Sequence, residues 1–122
     1  MSIYNALTEF LPEIKNKDFV DWIEGNKSKE LIQKFEREIY LFEEKHPEYN
    51  LNHYNHILTE NNLLWDENVM QKTDVSVLDG KCIMALLMGV VRAERFCGGT
   101  ILSFFRSGTI EKWLLRLKEI DC

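Results

Sequence analysis

Apolar side chains recur at helical spacing along most of the chain. Near the amino terminus they form one stripe at intervals that fit a helix, made of Ile3, Leu7, Phe10, Leu11 and Ile14. This spacing predicts an amphipathic helix. Pro12 is expected to kink it or to split it into two pieces, because a proline inside a helix lacks the backbone donor and clashes with the preceding turn.

The next apolar stretch, Phe19 to Ile23, is short and stands before Gly25-Asn26, a turn signal. A β element is the main alternative to a helix at this stretch. A longer stripe follows, and Ser28 is placed to cap its helix. The stripe consists of Leu31, Phe35, Ile39 and Phe42.

Pro47 should end this second helix, because the residue before a proline avoids helical backbone angles. A third helix is predicted from Asn52 to Leu64. A polar loop, Asp66 to Thr73, separates it from the most apolar part of the chain.

That apolar part runs from Val75 to Val91 and has few polar positions on any side. A helix that is apolar around its circumference is buried by several neighbours, so we expect this one to be the hub of a bundle. Asp74 or Ser76 would cap its start, with Ser76 and Asp79 approximating a capping box. With closure by the glycines at 98 and 99, the buried helix would cover about residues 75–97.

A short helix or turn at 101–105, a break at 107–109 and a final apolar stripe complete the pattern. That stripe is Ile110, Trp113, Leu114 and Leu117. The fold class predicted is therefore all-α: a single domain over residues 1–122, built as a bundle of five or six helices around the buried central helix.

Charge modifies this picture. The formal net charge is −5, which argues against nonspecific binding to nucleic acid. Six basic and two acidic residues lie between positions 92 and 118, a local charge of +4 that leaves −9 for the rest. The two signs either neutralise each other within the folded domain, or the basic part forms a site for an anionic ligand or partner.

The cysteine pattern and the first residues of the chain both bear on the cellular location. Three cysteines without paired spacing, Cys82, Cys97 and Cys122, favour a reduced protein. The first residues lack the charged and then apolar pattern of a secretory signal. The longest apolar run is also shorter than the roughly 20 residues that a membrane span needs. We therefore expect a cytoplasmic protein that does not contact a membrane.

The candidate site is the polar cluster that ends the central helix. It consists of Arg92, Glu94, Arg95, Phe96 and Cys97. One interpretation is structural: an ion network locks the helix end, where arginines favour the negative pole of the helix dipole. The other is a pocket in which Arg92 or Arg95 binds a carboxylate or phosphate through its guanidinium fork. In the pocket interpretation Arg92 and Phe96 share one helical face.

No catalytic or metal-binding pattern accompanies the cluster. Cys97 has no histidine placed beside it by a motif, and a small core residue is the commoner role for such a cysteine. His53 and His56 are three apart, which suits a shared metal, but two ligands do not make a site. Phosphate-binding glycine loops are missing. We therefore expect no metal and no cofactor, and a protein without enzymatic activity is favoured.

The carboxyl-terminal half resembles an uncharacterised prokaryotic family, a domain of unknown function. The resemblance rests on R-A-E-R-F-C-x-G at Arg92–Gly99, on Ser107-Gly108, and on L-L-R-L-K at Leu114–Lys118. It implies a small helical protein of bacterial, archaeal or phage origin and brings no activity. Relatives often carry an acidic residue where this chain has Gly98, so a function that depends on that acid would be absent here.

Three functions remain open at this point. The leading hypothesis is a binding or regulatory module for a protein partner, for instance a phage inhibitor that covers a basic surface of a host protein. The second is a small-ligand-binding protein or enzyme with an anion pocket at Arg92–Cys97. The third, disfavoured by the net charge, is nucleic-acid binding. It would use the basic surface of Arg106, Lys112, Arg116 and Lys118. A homodimer is a further alternative.

Overall fold

A computed structural model describes residues 3–14, 26–61, 63, 70 and 72–121 of the chain, and of positions 13, 14 and 26–29 it describes the backbone only. The α-helices are α1 (Asn5–Thr8), α2 (Leu11–Ile14), α3 (Asn26–Lys45), α4 (Tyr54–Glu60), α5 (Gly80–Glu94), α6 (Thr100–Arg106) and α7 (Thr109–Asp121). Short 3-10 helices cover Pro47–Tyr49, Leu51–His53 and Val75–Val77. The described residues contain no strand, and the predicted all-α bundle is confirmed.

Pro12 divides the first apolar stripe as predicted. The chain turns at Glu9 and Phe10 between α1 and α2, and Pro12 occupies the second position of α2. In the first turn of a helix a proline removes no hydrogen bond, because the N–H groups there have no partner within the helix. The predictions for Phe19–Ile23 concern residues outside the described ranges.

Helix α3 buries the predicted stripe and is longer than expected at its start. Leu31, Phe35, Ile39 and Phe42 are all buried. The helix begins at Asn26, so Ser28 lies inside it and its predicted capping role is wrong. Phe35 forms T-shaped pairs with two other rings, at centroid distances of 5.3 Å from Phe10 and 5.2 Å from Phe105. The α3 stripe therefore joins the amino-terminal helices to α6.

The third predicted helix is shorter than the sequence spacing indicated. A 3-10 turn covers Leu51–His53 and α4 ends at Glu60, whereas the spacing predicted one helix as far as Leu64. Asn61 explains the end of α4. Its side-chain amide donates to the carbonyl of Ile57 at 2.8 Å, beside its own backbone N–H at 3.2 Å, and the N–H of Leu63 turns back to the carbonyl of Leu58 at 2.8 Å.

Helix α5 is the predicted hub, with different bounds. Its side chains from Cys82 to Val91 are buried, and it packs against α3, α4, α6 and α7. At the start, Leu78 and Asp79 have extended backbones and separate the Val75–Val77 turn from α5. The predicted capping box is wrong: the Asp79 carboxylate accepts from Cys82 N at 2.9 Å, while Ser76 bonds to Asp74.

The start of α5 is closed by the amino-terminal segment. The Tyr4 ring stacks on Phe42 at 5.6 Å, and its hydroxyl bonds to the hydroxyl of Tyr49 at 2.6 Å. A β-carbon on Gly80 would overlap this Tyr4 hydroxyl, so only glycine fits there without movement. Asp121 of α7 accepts from the backbone N–H groups of Ile3 and Tyr4 at 3.2 and 3.1 Å and holds the segment in place.

The candidate site at the end of the central helix

Helix α5 ends at Glu94 and is followed by a turn over residues 95–99, here called the Phe96 turn. The predicted end near residue 97 is therefore too late. The amides of Phe96 and Cys97 both donate to the carbonyl of Ala93, at 3.0 and 2.9 Å. Gly99 then takes a left-handed φ of 95°, a conformation that favours glycine, and immediately precedes α6.

Glu94 holds the far side of the Phe96 turn. Its two carboxylate oxygens accept from the backbone N–H groups of Gly99 and Ile101, each at 2.9 Å. These donors lie at the amino-terminal end of α6, where N–H groups have no partner within the helix and where a negative charge is stabilised. Thr100 adds a hydroxyl bond to the Cys97 carbonyl at 2.7 Å. Glu94 thus acts as the cap of α6.

Arg92 turns inward to two neighbouring elements. Its Nη2 atom lies 2.8 Å from Asn52 Oδ1 and 3.3 Å from the carboxylate of Glu43 on α3. The guanidinium also lies over the Tyr54 ring, 5.7 Å from its centroid. These contacts join α3, α4 and α5. They occupy the Arg92 guanidinium, which the pocket hypothesis assigned to an anion.

Arg95 lies on the outside of the same region. Its guanidinium covers the ring of Tyr40 at 5.3 Å from the centroid, a cation–π contact. Glu36, one helical turn before Tyr40, is partly buried. Burial and the nearby charge of Glu94 raise the pKa of Glu36 above its ordinary value, and Arg95 opposes this shift.

Phe96 and Cys97 point away from this network. The Phe96 side chain is 87% exposed. Because α5 ends before it, Phe96 does not share a helical face with Arg92 as the pocket hypothesis expected. Cys97 is exposed, so its interpretation as a small core residue is wrong. The structure therefore gives Arg92, Glu94 and Arg95 separate partners within the fold and leaves Phe96 and Cys97 exposed.

The four residues of the predicted basic surface lie in different settings. Arg116 Nε donates to the Leu78 carbonyl at 3.1 Å, and Nη1 contacts Glu119 at 3.3 Å. Lys118 is exposed beside α1 and α2, and Arg106 is exposed at the end of α6. Lys112 and Arg116 line a cleft with Lys72. Sequence reasoning missed Lys72, because only the fold brings it near α7.

Metal and thiol chemistry is limited among the described residues. The rings of His53 and His56 are 6.1 Å apart, and both residues are exposed. No cluster of three or more histidine, cysteine, aspartate or glutamate side chains suited to a metal occurs within the described ranges. Burial and the neighbouring Asp79 raise the pKa of Cys82 to about 11, so its thiol stays protonated at neutral pH.

Among the helices that the structure describes, none is both long and apolar enough to cross a bilayer.

Comparison with known proteins adds one family. The model of the Family of unknown function (DUF6508) matches residues 2–121, which includes the amino-terminal half where the motifs were uninformative. No curated protein and no solved structure matches the chain. The predicted kinship with a family of unknown function is confirmed. The chain belongs to this family.

Proposed function

We propose that this protein is a binding module that docks on another protein through the Phe96 turn. The observation that carries the proposal is the contrast between the ring of Phe96, 87% exposed, and the backbone beneath it, which is held by hydrogen bonds on both sides. Aromatic side chains are enriched among the residues that dominate protein interfaces, where each fills a pocket of the partner.

The fixed backbone favours binding. The amides of Phe96 and Cys97 are bonded to Ala93, and Glu94 bonds to Gly99 and Ile101. A side chain presented on an ordered turn loses less conformational freedom on association than one on a mobile loop. This is a physical reason for Glu94: its carboxylate orders the turn that carries the aromatic ring.

Charge indicates the kind of partner. The chain as a whole carries a net charge of −5, and Arg92 contacts Glu43, although Arg95, over the ring of Tyr40, keeps one positive charge beside the turn. We infer a partner with an apolar pocket on a basic surface, since complementary charge speeds the encounter of two proteins. A phage inhibitor that covers a basic surface of a host defence protein is the narrower form of this proposal.

The test compares Phe96→Ala with Val77→Ala, a matched removal of an apolar side chain that is 77% exposed on a different segment. Both variants should unfold at the wild-type temperature, because neither side chain belongs to the core. Each protein is crosslinked in cells that encode the chain, and nuclease-treated samples are quantified by mass spectrometry. We expect one basic protein with the wild type and with Val77→Ala, and its loss with Phe96→Ala.

Three results would contradict the proposal. The first is an equal yield of the same protein with Phe96→Ala and the wild type. The second is loss of the signal on nuclease treatment, which would assign the ring to base stacking. The third is an association rate of the purified pair that does not fall as salt is added, because electrostatic steering is screened by salt.

A further inference from the structure

A second surface, remote in sequence from the Phe96 turn, has the composition of a ligand site. A cleft of about 340 Å³ lies between α7 and the segment that contains the Val75–Val77 turn. Its lining includes three basic and two acidic residues together with hydroxyl and apolar groups: Lys72, Thr73, Asp74, Val75, Ser76, Lys112, Leu115, Arg116 and Glu119. Its volume falls at the lower end of the range for small-molecule sites.

Arg116 is held in place at this cleft. Its side chain is 25% exposed, Nε donates to the Leu78 carbonyl, and Nη1 contacts Glu119. Lys112 precedes it by one helical turn on the same side of α7. A guanidinium whose orientation is already set forms paired hydrogen bonds to a carboxylate or phosphate with little further ordering.

The two acidic residues of the cleft lie near its basic groups, and an anion would have to compete with them. Asp74 turns back to its own segment and accepts from the amide and the hydroxyl of Ser76 at 3.0 and 2.6 Å. These bonds, together with the smaller effect of the nearby Lys112 charge, hold the pKa of Asp74 below its usual value. The Glu119 side chain is 68% exposed, and a surface ion pair of this kind is weak. An anion can therefore replace Glu119 at Arg116 while the Glu119 carboxylate returns to solvent.

We propose that this cleft binds a small organic anion, with its carboxylate or phosphate between Lys112 and Arg116 and its apolar part against Val75 and Leu115. Lys72, from the segment that precedes the Val75–Val77 turn, adds a third positive charge. This ligand site is independent of the docking proposed for the Phe96 turn, so either proposal can fail without the other. It also replaces Arg92 as the place where the basic third of the chain would receive an anion.

The test titrates the isotope-labelled protein with two probes that share a tail and differ in the head, butyrate and butyl phosphate. Sodium chloride at matched ionic strength is the reference. We expect saturable shifts of the amide signals in segments 72–78 and 112–119 with at least one probe. A response to one probe alone identifies the head group, and a response to both supports the shared anionic chemistry.

Variants then locate the anion. Lys112→Gln should weaken the binding about tenfold, as expected for the loss of one charge-assisted hydrogen bond. Arg116→Lys keeps the charge and loses the fork, and should also weaken binding. Lys118→Gln is the control, since it removes one charge from the same helix outside the cleft, and should change the affinity less than about twofold.

The proposal is overturned by shifts that grow without saturation and follow ionic strength alone. It is equally overturned if Lys118→Gln weakens binding as much as Lys112→Gln. Should Lys112→Gln disturb the amide spectrum of the free protein, Lys72→Gln takes its place. Lys72 is exposed, and its removal is expected to weaken binding in the same direction.

Discussion

The two ends of α5 contain the same kinds of group and use them in opposite ways. At the amino-terminal end Asp79 caps α5 itself, Gly80 receives the Tyr4 ring, and Cys82 is buried. Gly80 and Cys82 are enclosed by the packing, while the Asp79 side chain stays at the surface. The enclosure comes from the segment at Ile3 and Tyr4, which α7 and the Tyr49 hydroxyl hold against the helix start.

At the carboxyl-terminal end the carboxylate is Glu94, and it caps the next helix instead of its own. The glycine is Gly99, which turns the chain. The aromatic ring of Phe96 and the thiol of Cys97 are exposed. The difference teaches that these residue types do not by themselves make a site. The glycine and the thiol of one end differ from those of the other in whether another segment of the chain covers them.

The largest expected contrast between the ends is in thiol reactivity. In a Cys122→Ser background, Cys97 should react with an aromatic disulfide reagent at the rate of an exposed thiol. Cys82 should react at least about a thousandfold more slowly, because it must wait for opening of the core. Its pKa of about 11 slows it further at neutral pH. Absorbance of the released thiolate follows both phases, and Cys97→Ser should remove the fast phase. Equal rates in the native protein would refute the contrast.

The second expected effect concerns the glycines. Gly80→Ala places a methyl group against the buried Tyr4 ring and should lower the free energy of unfolding by about 1–3 kcal/mol, as overpacking does. Gly98→Ala is the control at the other end, where a β-carbon meets nothing closer than Glu94 Oε2 at 3.9 Å, and should change it by less than about 0.5 kcal/mol.

Urea denaturation measures both glycine variants. A Tyr4→Leu background sharpens the result, because a smaller side chain should make Gly80→Ala less costly. An equal cost of Gly80→Ala with tyrosine or leucine at position 4 would show that the ring is not the cause.

The smallest expected effect separates the two arginines at the carboxyl-terminal end. Arg92→Ala leaves Glu43 and Asn52 without their partner and should cost about 1–2 kcal/mol of unfolding free energy, allowing for partial exposure of the pair. Arg95→Ala loses a cation–π contact at the surface and should cost about 0.5–1 kcal/mol. Thermal unfolding at fixed pH compares them. A larger loss of stability for Arg95→Ala than for Arg92→Ala would contradict the structural role assigned to Arg92.

Much of the fold could be predicted because it depends on periodicity. The buried positions of α3 and of the apolar middle of α5 are direct consequences of their spacing, and Pro12 divides the first stripe for a reason local to the proline. The bounds of α5 could not be predicted as well. Asp79 sits within a helical pattern, and only the competition between its capping bond to Cys82 and continued helix decided that α5 begins after it.

The candidate site, too, could be predicted from the sequence only in part. The sequence of residues 92–99 by itself determined a helix end rich in charge, followed by glycines that turn the chain. Which arginine forms an ion pair was decided by the tertiary structure, because the partners of Arg92 are Glu43 and Asn52, 49 and 40 positions away. The tertiary structure also decided that Phe96 is exposed. Periodicity reports which side chains must leave water, while the packing of distant segments determines which of the remaining ones are covered.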